Sequence, residues 1–149
     1  MDMATALAEL GVTEATLDAG TRERLDRDGY AQLPGVLSVS QLTEIRARLA
    51  ELLAAEGDQA GIEVHQEAGA DRLADLVNKG PMFQPCFTHP RVLAGIAHVL
   101  GDFKLSSLNF RAARPGHGHQ PKLEGGAELG AVTHHFSYRH TTLDLGYWL

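Results

Sequence analysis

The chain has 149 residues, of which 44% are hydrophobic and 21% charged, and its formal net charge is −6 at pH 7. This length and composition are typical of one folded domain and exclude a disordered chain. No apolar run reaches the ~18 residues that cross a bilayer, and the N-terminus lacks the basic start and apolar stretch of a secretory signal. We therefore expect a cytoplasmic protein with no membrane partner.

The charge is divided unevenly along the chain. Residues 1–75 carry 15 acidic and 6 basic side chains, a balance of −9, whereas residues 76–149 carry 4 and 7, a balance of +3. Phosphate backbones are bound by clustered Lys and Arg, and the chain has no such run, so we expect no nucleic-acid partner. The single cysteine, Cys86, excludes an intramolecular disulfide and is expected to be a small buried residue.

The first hundred residues are predicted to be mainly helical. Helices are expected over residues 4–10 and 13–28, each followed by a glycine. Residues 30–33 alternate briefly, which predicts a short strand before the turn at residues 34–35. The long helix after Ser38 has the clearest signals.

Ser38 is a good N-cap for that helix, and Gln41 three residues later predicts a capping box. Apolar residues recur at helical spacing until Gly57, a stripe that indicates core packing. Beyond it, the composition predicts a surface loop up to residue 70 and then a short helix over residues 70–77.

A second well-marked helix starts at Pro90, with His89 in the cap region and Gly101 after its end. Beyond residue 102, apolar residues recur about every second position instead of at helical spacing. Strands are therefore predicted over about residues 103–111, 131–138 and 141–148.

Helices followed by strands, without alternation, predict an α+β chain with antiparallel pairing. We expect a single domain of residues 1–149. Its mainly helical part, residues 1–101, contains the short strand near residues 30–33, and its strand-rich part spans residues 102–149.

Four sequence blocks occur in an order that resembles a known family. They are Asp-Gly-Tyr with Pro-Gly at 28–35, the long helix, Thr-His-Pro at 88–90, and Leu-Asn-Phe-Arg at 108–111 leading to Pro-Gly-His-Gly-His-Gln-Pro at 115–121. Over about residues 20–121 the chain is similar to the N-terminal half of the phytanoyl-CoA dioxygenase family. The resemblance implies an incomplete double-stranded β-helix, a jelly-roll variant. It also implies hydroxylation of a small-molecule substrate with Fe(II), 2-oxoglutarate and dioxygen.

Whether the chain has the iron ligands of that family decides whether it can be an active enzyme. Two histidines and one carboxylate hold the iron on one face, and two of these ligands come from a His-x-Asp at the end of a strand. That motif does not occur in the 149 residues, although five of the eight histidines fall between residues 117 and 140. A rebuilt site would use His117 or His119 with Glu124 and a histidine from residues 134–140. A His-x-His pair on one strand face can hold a divalent metal.

The resemblance also implies where 2-oxoglutarate would bind. Asn109 and Gln120 match positions that contact the cosubstrate in the family. Arg139 is a candidate partner for its distal carboxylate, because a planar guanidinium suits that group. Each of the three residues also has a purely structural interpretation as a strand, loop or surface residue.

The sequence is compatible with three interpretations. The chain is a truncated or internally deleted family member, a divergent member with a rebuilt site, or a non-catalytic small-molecule-binding or protein-interaction domain. Fe(II) and 2-oxoglutarate are the cofactors if the chain is active, and the last interpretation needs none. An incomplete β-helix leaves strand edges unpaired, so the first interpretation predicts a homo-oligomer.

Overall fold

A computed structural model describes residues 2–66, 68–114, 130–138 and 141–148, with side chains up to residue 114. The described helices are α1 (Met3–Glu9), α2 (Ala19–Asp28), α3 (Val39–Glu56), α4 (Gln84–Thr88) and α5 (Pro90–Leu100). The described strands are β1 (Ala70–Leu73), β2 (Lys104–Ala113), β3 (Gly130–Tyr138) and β4 (Thr141–Trp148). The predicted α+β class is confirmed. No helix in these ranges combines the length and apolar character needed to cross a membrane.

Local capping defines the start of α3 as predicted. The hydroxyl of Ser38 accepts a hydrogen bond from the backbone N–H of Gln41 at 3.2 Å, and the side-chain oxygen of Gln41 accepts one from the backbone N–H of Ser38 at 2.8 Å. This reciprocal pair satisfies two backbone donors that the first turn of a helix leaves open. The predicted capping box is therefore confirmed.

The start of α5 is also confirmed. Pro90 occupies the first turn, and Nδ1 of His89 accepts a hydrogen bond from the backbone N–H of Arg91 at 3.2 Å. By contrast, α2 begins later than the predicted residue 13. The Asp18 side chain accepts from the backbone N–H of Thr21 at 2.8 Å, and this cap starts the helix at Ala19.

The strand predicted near residues 30–33 is wrong. Tyr30 is 69% exposed, whereas Leu33 packs against the helical core, and no strand of the described sheet runs beside this segment. A strand needs a hydrogen-bonded neighbour, which brief local alternation cannot supply.

The helix predicted over residues 70–77 is also wrong. Its first residues form β1, and a 3₁₀ turn, Leu76–Asn78, follows. The deciding interaction is the antiparallel pairing of β1 with the distant β2, in which Leu73 lies opposite Phe110. Long-range pairing has overridden the weak local preference of these residues.

The four strands form one antiparallel sheet in the order β1-β2-β3-β4, so each strand pairs with the next strand along the chain. The backbone N–H of Arg114 donates to the carbonyl of Gly69 at 2.8 Å and extends the pairing of β1 with β2. Strands β1 and β4 form the two edges of this described sheet. Association of two copies through such edges stays a prediction.

The helices cover one face of the sheet. Leu73, Leu108 and Phe110 are buried in a cluster with residues of α3 and α4, and their neighbours along β2 face the other way. Cys86 is fully buried in the same cluster, as predicted, and burial raises the pKa of its thiol to about 12. A second cluster lies around α5 and the segments before α3.

Candidate functional site on the polar face of the sheet

Along β2, the face of the sheet opposite the helical core carries polar side chains. Ser107, Asn109 and Arg111 alternate along β2 with residues that enter the core, and the strand register places Arg72 of β1 directly opposite Arg111. Paired residues of antiparallel strands project to the same face. We call the surface made by Arg72, Ser107, Asn109 and Arg111 the polar face.

Asn109 is the most buried of these four side chains. It is 9% exposed, and its Nδ2 donates a hydrogen bond to the hydroxyl of Ser107 at 3.3 Å. A buried amide both donates and accepts hydrogen bonds, so it can recognise a polar ligand group with defined geometry. The structure thus places the predicted cosubstrate residue on the polar face. Contact between Asn109 and a cosubstrate stays a prediction.

Arg72 and Arg111 contribute two basic side chains to the polar face. Directly opposite side chains of an antiparallel pair have Cβ atoms about 5 Å apart. Both arginines are partly buried, and both make further interactions within the protein. Neither arginine stands out in the sequence as a candidate site residue. The strand register relates them across 39 positions, and no local sequence pattern shows that register.

The nearby Arg114 has a carboxylate partner of its own. Its Nε and Nη2 lie 2.8 and 2.7 Å from Oδ1 of Asp71. Asp71 pairs in register with Ala112, whose neighbours in the core lie on the helical side of the sheet. The acidic group of β1 is therefore directed away from the polar face.

Comparison with known families adds a second, independent observation. The family model described as Phytanoyl-CoA dioxygenase (PhyH) matches residues 25–129, which is more than two thirds of the chain. The chain belongs to the phytanoyl-CoA dioxygenase family. The match includes α3, α4, α5, β1 and β2, so the polar face lies within the residues shared with the family. No curated protein and no solved structure matches the chain significantly.

Phytanoyl-CoA dioxygenases generally depend on Fe(II), and the described residues do not fit such an ion. In the ranges that the structure describes, no group of three His, Cys, Asp or Glu residues is placed to hold a metal. His89 caps α5, while Nε2 of His98 lies 2.8 Å from Oδ1 of Asp26 and connects α5 with α2. The arginines and the amide of the polar face are suited to anions rather than to iron.

The remaining candidates from the sequence lie outside the described residues. These are the predicted metal ligands His117, His119 and Glu124 and the predicted cosubstrate contacts Gln120 and Arg139. Asn109 is thus the candidate whose surroundings the structure describes.

Proposed function

We propose that the protein has a dioxygenase-like function, the iron-dependent hydroxylation of a small molecule. In this proposal, the polar face binds the cosubstrate 2-oxoglutarate. Membership of the phytanoyl-CoA dioxygenase family carries this proposal. The buried Asn109 supports it, because its amide can hydrogen-bond a carboxylate of the cosubstrate.

We further propose that the four strands are part of a double-stranded β-helix. Helices cover one face of the antiparallel sheet, and the opposite face carries a buried amide and two arginines. In a jelly roll a second sheet lies over such a face, and ligands bind between the two sheets. This arrangement would give the polar face a function that an ordinary solvated face lacks.

In this family, iron held by two histidines and a carboxylate supplies the chemistry that activates dioxygen. The residues of the polar face would orient the cosubstrate and limit the access of water. The candidates remain those predicted from the sequence, His117, His119 and Glu124 for the metal and Gln120 and Arg139 beside Asn109 for the cosubstrate.

The proposal is tested by adding Fe(II) and 2-oxoglutarate to the metal-free protein without oxygen. We expect the visible charge-transfer band of the chelate, and we expect the double variant H117A/H119A to lose it. His65→Ala is the matched control, because His65 is exposed in the loop before β1. Asn109→Ala should raise the 2-oxoglutarate concentration that gives half of the band. Absence of the band in the wild-type protein would contradict the iron-dependent function.

A second candidate function is a non-catalytic small-molecule-binding or protein-interaction domain. It is favoured by the absence of a His-x-Asp in the sequence and of a metal-ligating group among the described residues. This candidate predicts no chelate band, no oxygen-dependent consumption of 2-oxoglutarate and no change in thermal unfolding when a chelator is added. A chelate band abolished by H117A/H119A would exclude it.

A further inference from the structure

A small apolar cavity lies in the helical part of the protein. It is formed by α2, the segment that follows α2, and α5, and its volume is about 90 Å³. The described residues that line it do not belong to the sheet, so the cavity is separate from the polar face. We infer that this cavity is a binding site for the short alkyl group of an uncharged small molecule.

The lining of the cavity fits a hydrocarbon group. No charged side chain is among the described residues that line it. Branched aliphatic side chains make up most of the walls, and they belong to Leu17, Leu25, Leu33, Val92 and Ile96. An alkyl group that enters the cavity therefore leaves water for an apolar surrounding, which is favourable.

Thr21 is a buried polar residue of the lining, and its hydroxyl already has two partners. The hydroxyl donates a hydrogen bond to Oδ2 of Asp18 at 2.6 Å and accepts one from Nη2 of Arg24 at 2.9 Å. A polar ligand group buried here without a partner would lose its hydrogen bonds to water, at a cost in free energy. Water is held weakly for the same reason, because a buried water needs several polar partners.

Gly95 leaves space in the wall that α5 contributes. This glycine is buried in the middle of the helix, where an alanine would be the better helix former. A Cβ added at Gly95 would lie 4.0 Å from Cδ1 of Leu25, which is an ordinary contact distance. Packing therefore does not require glycine here, and the space of the absent methyl group belongs to the cavity. This favours a binding site over close packing.

The cavity opens to solvent at Tyr30. This residue lines the cavity although it is 69% exposed, and the adjacent Gly29 is exposed as well. Val92 and Ile96, by contrast, are buried and lie at the inner end. A tyrosine has an apolar ring and a polar hydroxyl. The ring can contact the alkyl group while the hydroxyl binds a polar end of the ligand outside the cavity.

The volume limits the size of the alkyl group. A cavity of about 150 Å³ with aliphatic and aromatic walls binds benzene. The present cavity is smaller, at about 90 Å³, so it accepts a chain of a few carbons. The rest of the ligand must extend past Tyr30. The ligand class is then a small molecule with one alkyl end and one uncharged polar end.

This site is independent of the proposed iron chemistry. The described walls contain none of the candidate residues for iron or 2-oxoglutarate. A chain that binds the alkyl group but forms no iron chelate would keep this inference and lose the proposed dioxygenase function. The opposite result would keep the dioxygenase function and exclude the cavity site.

The test is a titration of the full chain with n-butanol in the presence of EDTA, followed by NMR of the side-chain methyl groups. We expect saturable shifts of the methyl signals of Leu25, Val92 and Ile96, which line the cavity. The matched control ligand is the diol with a hydroxyl at both ends of the same four-carbon chain. It should bind much more weakly, because either end would bury a hydroxyl without a partner.

Three variants make the test specific. Gly95→Ala fills part of the cavity and should weaken the binding of n-butanol about fourfold, the effect of one lost methylene contact. Its Tm should rise, because alanine favours the helix, so weaker binding would not reflect poor folding. Tyr30→Ala removes the ring from the opening and should also weaken binding. Val39→Ala is the matched control, because it removes an apolar side chain that is 81% exposed on α3, and it should bind like the wild type.

Three results would overturn the inference. The first is the absence of saturable shifts at the cavity methyl groups when n-butanol is added. The second is equal binding of the diol and n-butanol. The third is wild-type binding by the folded Gly95→Ala and Tyr30→Ala proteins.

Discussion

The close contact between Gly61 and β1 gives a sharp test of how the polar face is held in position. Gly61 has φ +67°, and a Cβ added there would lie 2.8 Å from the carbonyl oxygen and 2.9 Å from the Cβ of Arg72. Gly61→Ala should therefore force the loop away from β1 or shift the backbone of Arg72. Gly35 is a matched control, because its φ is +71° and an added Cβ meets nothing within 4 Å.

Both substitutions place an alanine in a left-handed backbone conformation, but only Gly61→Ala also creates a steric overlap. A left-handed conformation costs an alanine about 1–2 kcal/mol relative to glycine, and this applies to both positions. Overpacking against a backbone that cannot easily move adds about 1–3 kcal/mol at position 61 alone. We therefore expect the free energy of unfolding to fall by about 1–2 kcal/mol in Gly35→Ala and by about 2–5 kcal/mol in Gly61→Ala.

Urea denaturation followed by circular dichroism measures both changes. Equal destabilisation by the two substitutions would refute the proposed close contact.

Three further predictions concern single side chains. Ser38→Ala should lower the free energy of unfolding in urea by about 1 kcal/mol, because it removes the hydroxyl that caps α3; an unchanged midpoint would contradict this. Burial and the nearby Arg91 lower the pKa of His89 from its usual value of 6.5. As the pH falls below about 6.5, the unfolded chain therefore binds a proton at this histidine before the folded chain does, and the free energy of unfolding should decrease. His89→Asn, which can cap without titrating, should flatten this dependence between pH 7 and 5, and an identical slope in both proteins would argue against His89. Because burial raises the pKa of the Cys86 thiol to about 12, iodoacetamide should modify it in urea but not in the native protein at pH 8; rapid native labelling would show that the core opens.

Those elements whose signals are local could be predicted from the sequence. The caps of α3 and α5 depend on residues within three positions of each other, and the structure shows the predicted capping box of α3 and the predicted start of α5 at Pro90. The resemblance to the family also rested on short blocks in a fixed order, and the family match over residues 25–129 confirms it.

Features that depend on distant partners could not be predicted in the same way. Residues 30–33 alternate but have no neighbouring strand in the described sheet, whereas β1 has little alternation and gains its partner from β2. In the candidate site, Asn109 could be predicted because it lies in one of the sequence blocks that resemble the family. The pairing of Arg72 with Arg111 required the register, because the sequence predicted a helix at Arg72 and a strand at Arg111.

The alternation along β2 has a consequence for how such a protein can change over evolution. Leu108 and Phe110 contribute to the helical core, while Asn109 and Arg111 lie on the opposite face, although all four are consecutive residues. Mutations at one set alter the helical core, and mutations at the other alter the chemistry of the opposite face. A lineage can therefore change the chemistry of this face while it inherits the same scaffold.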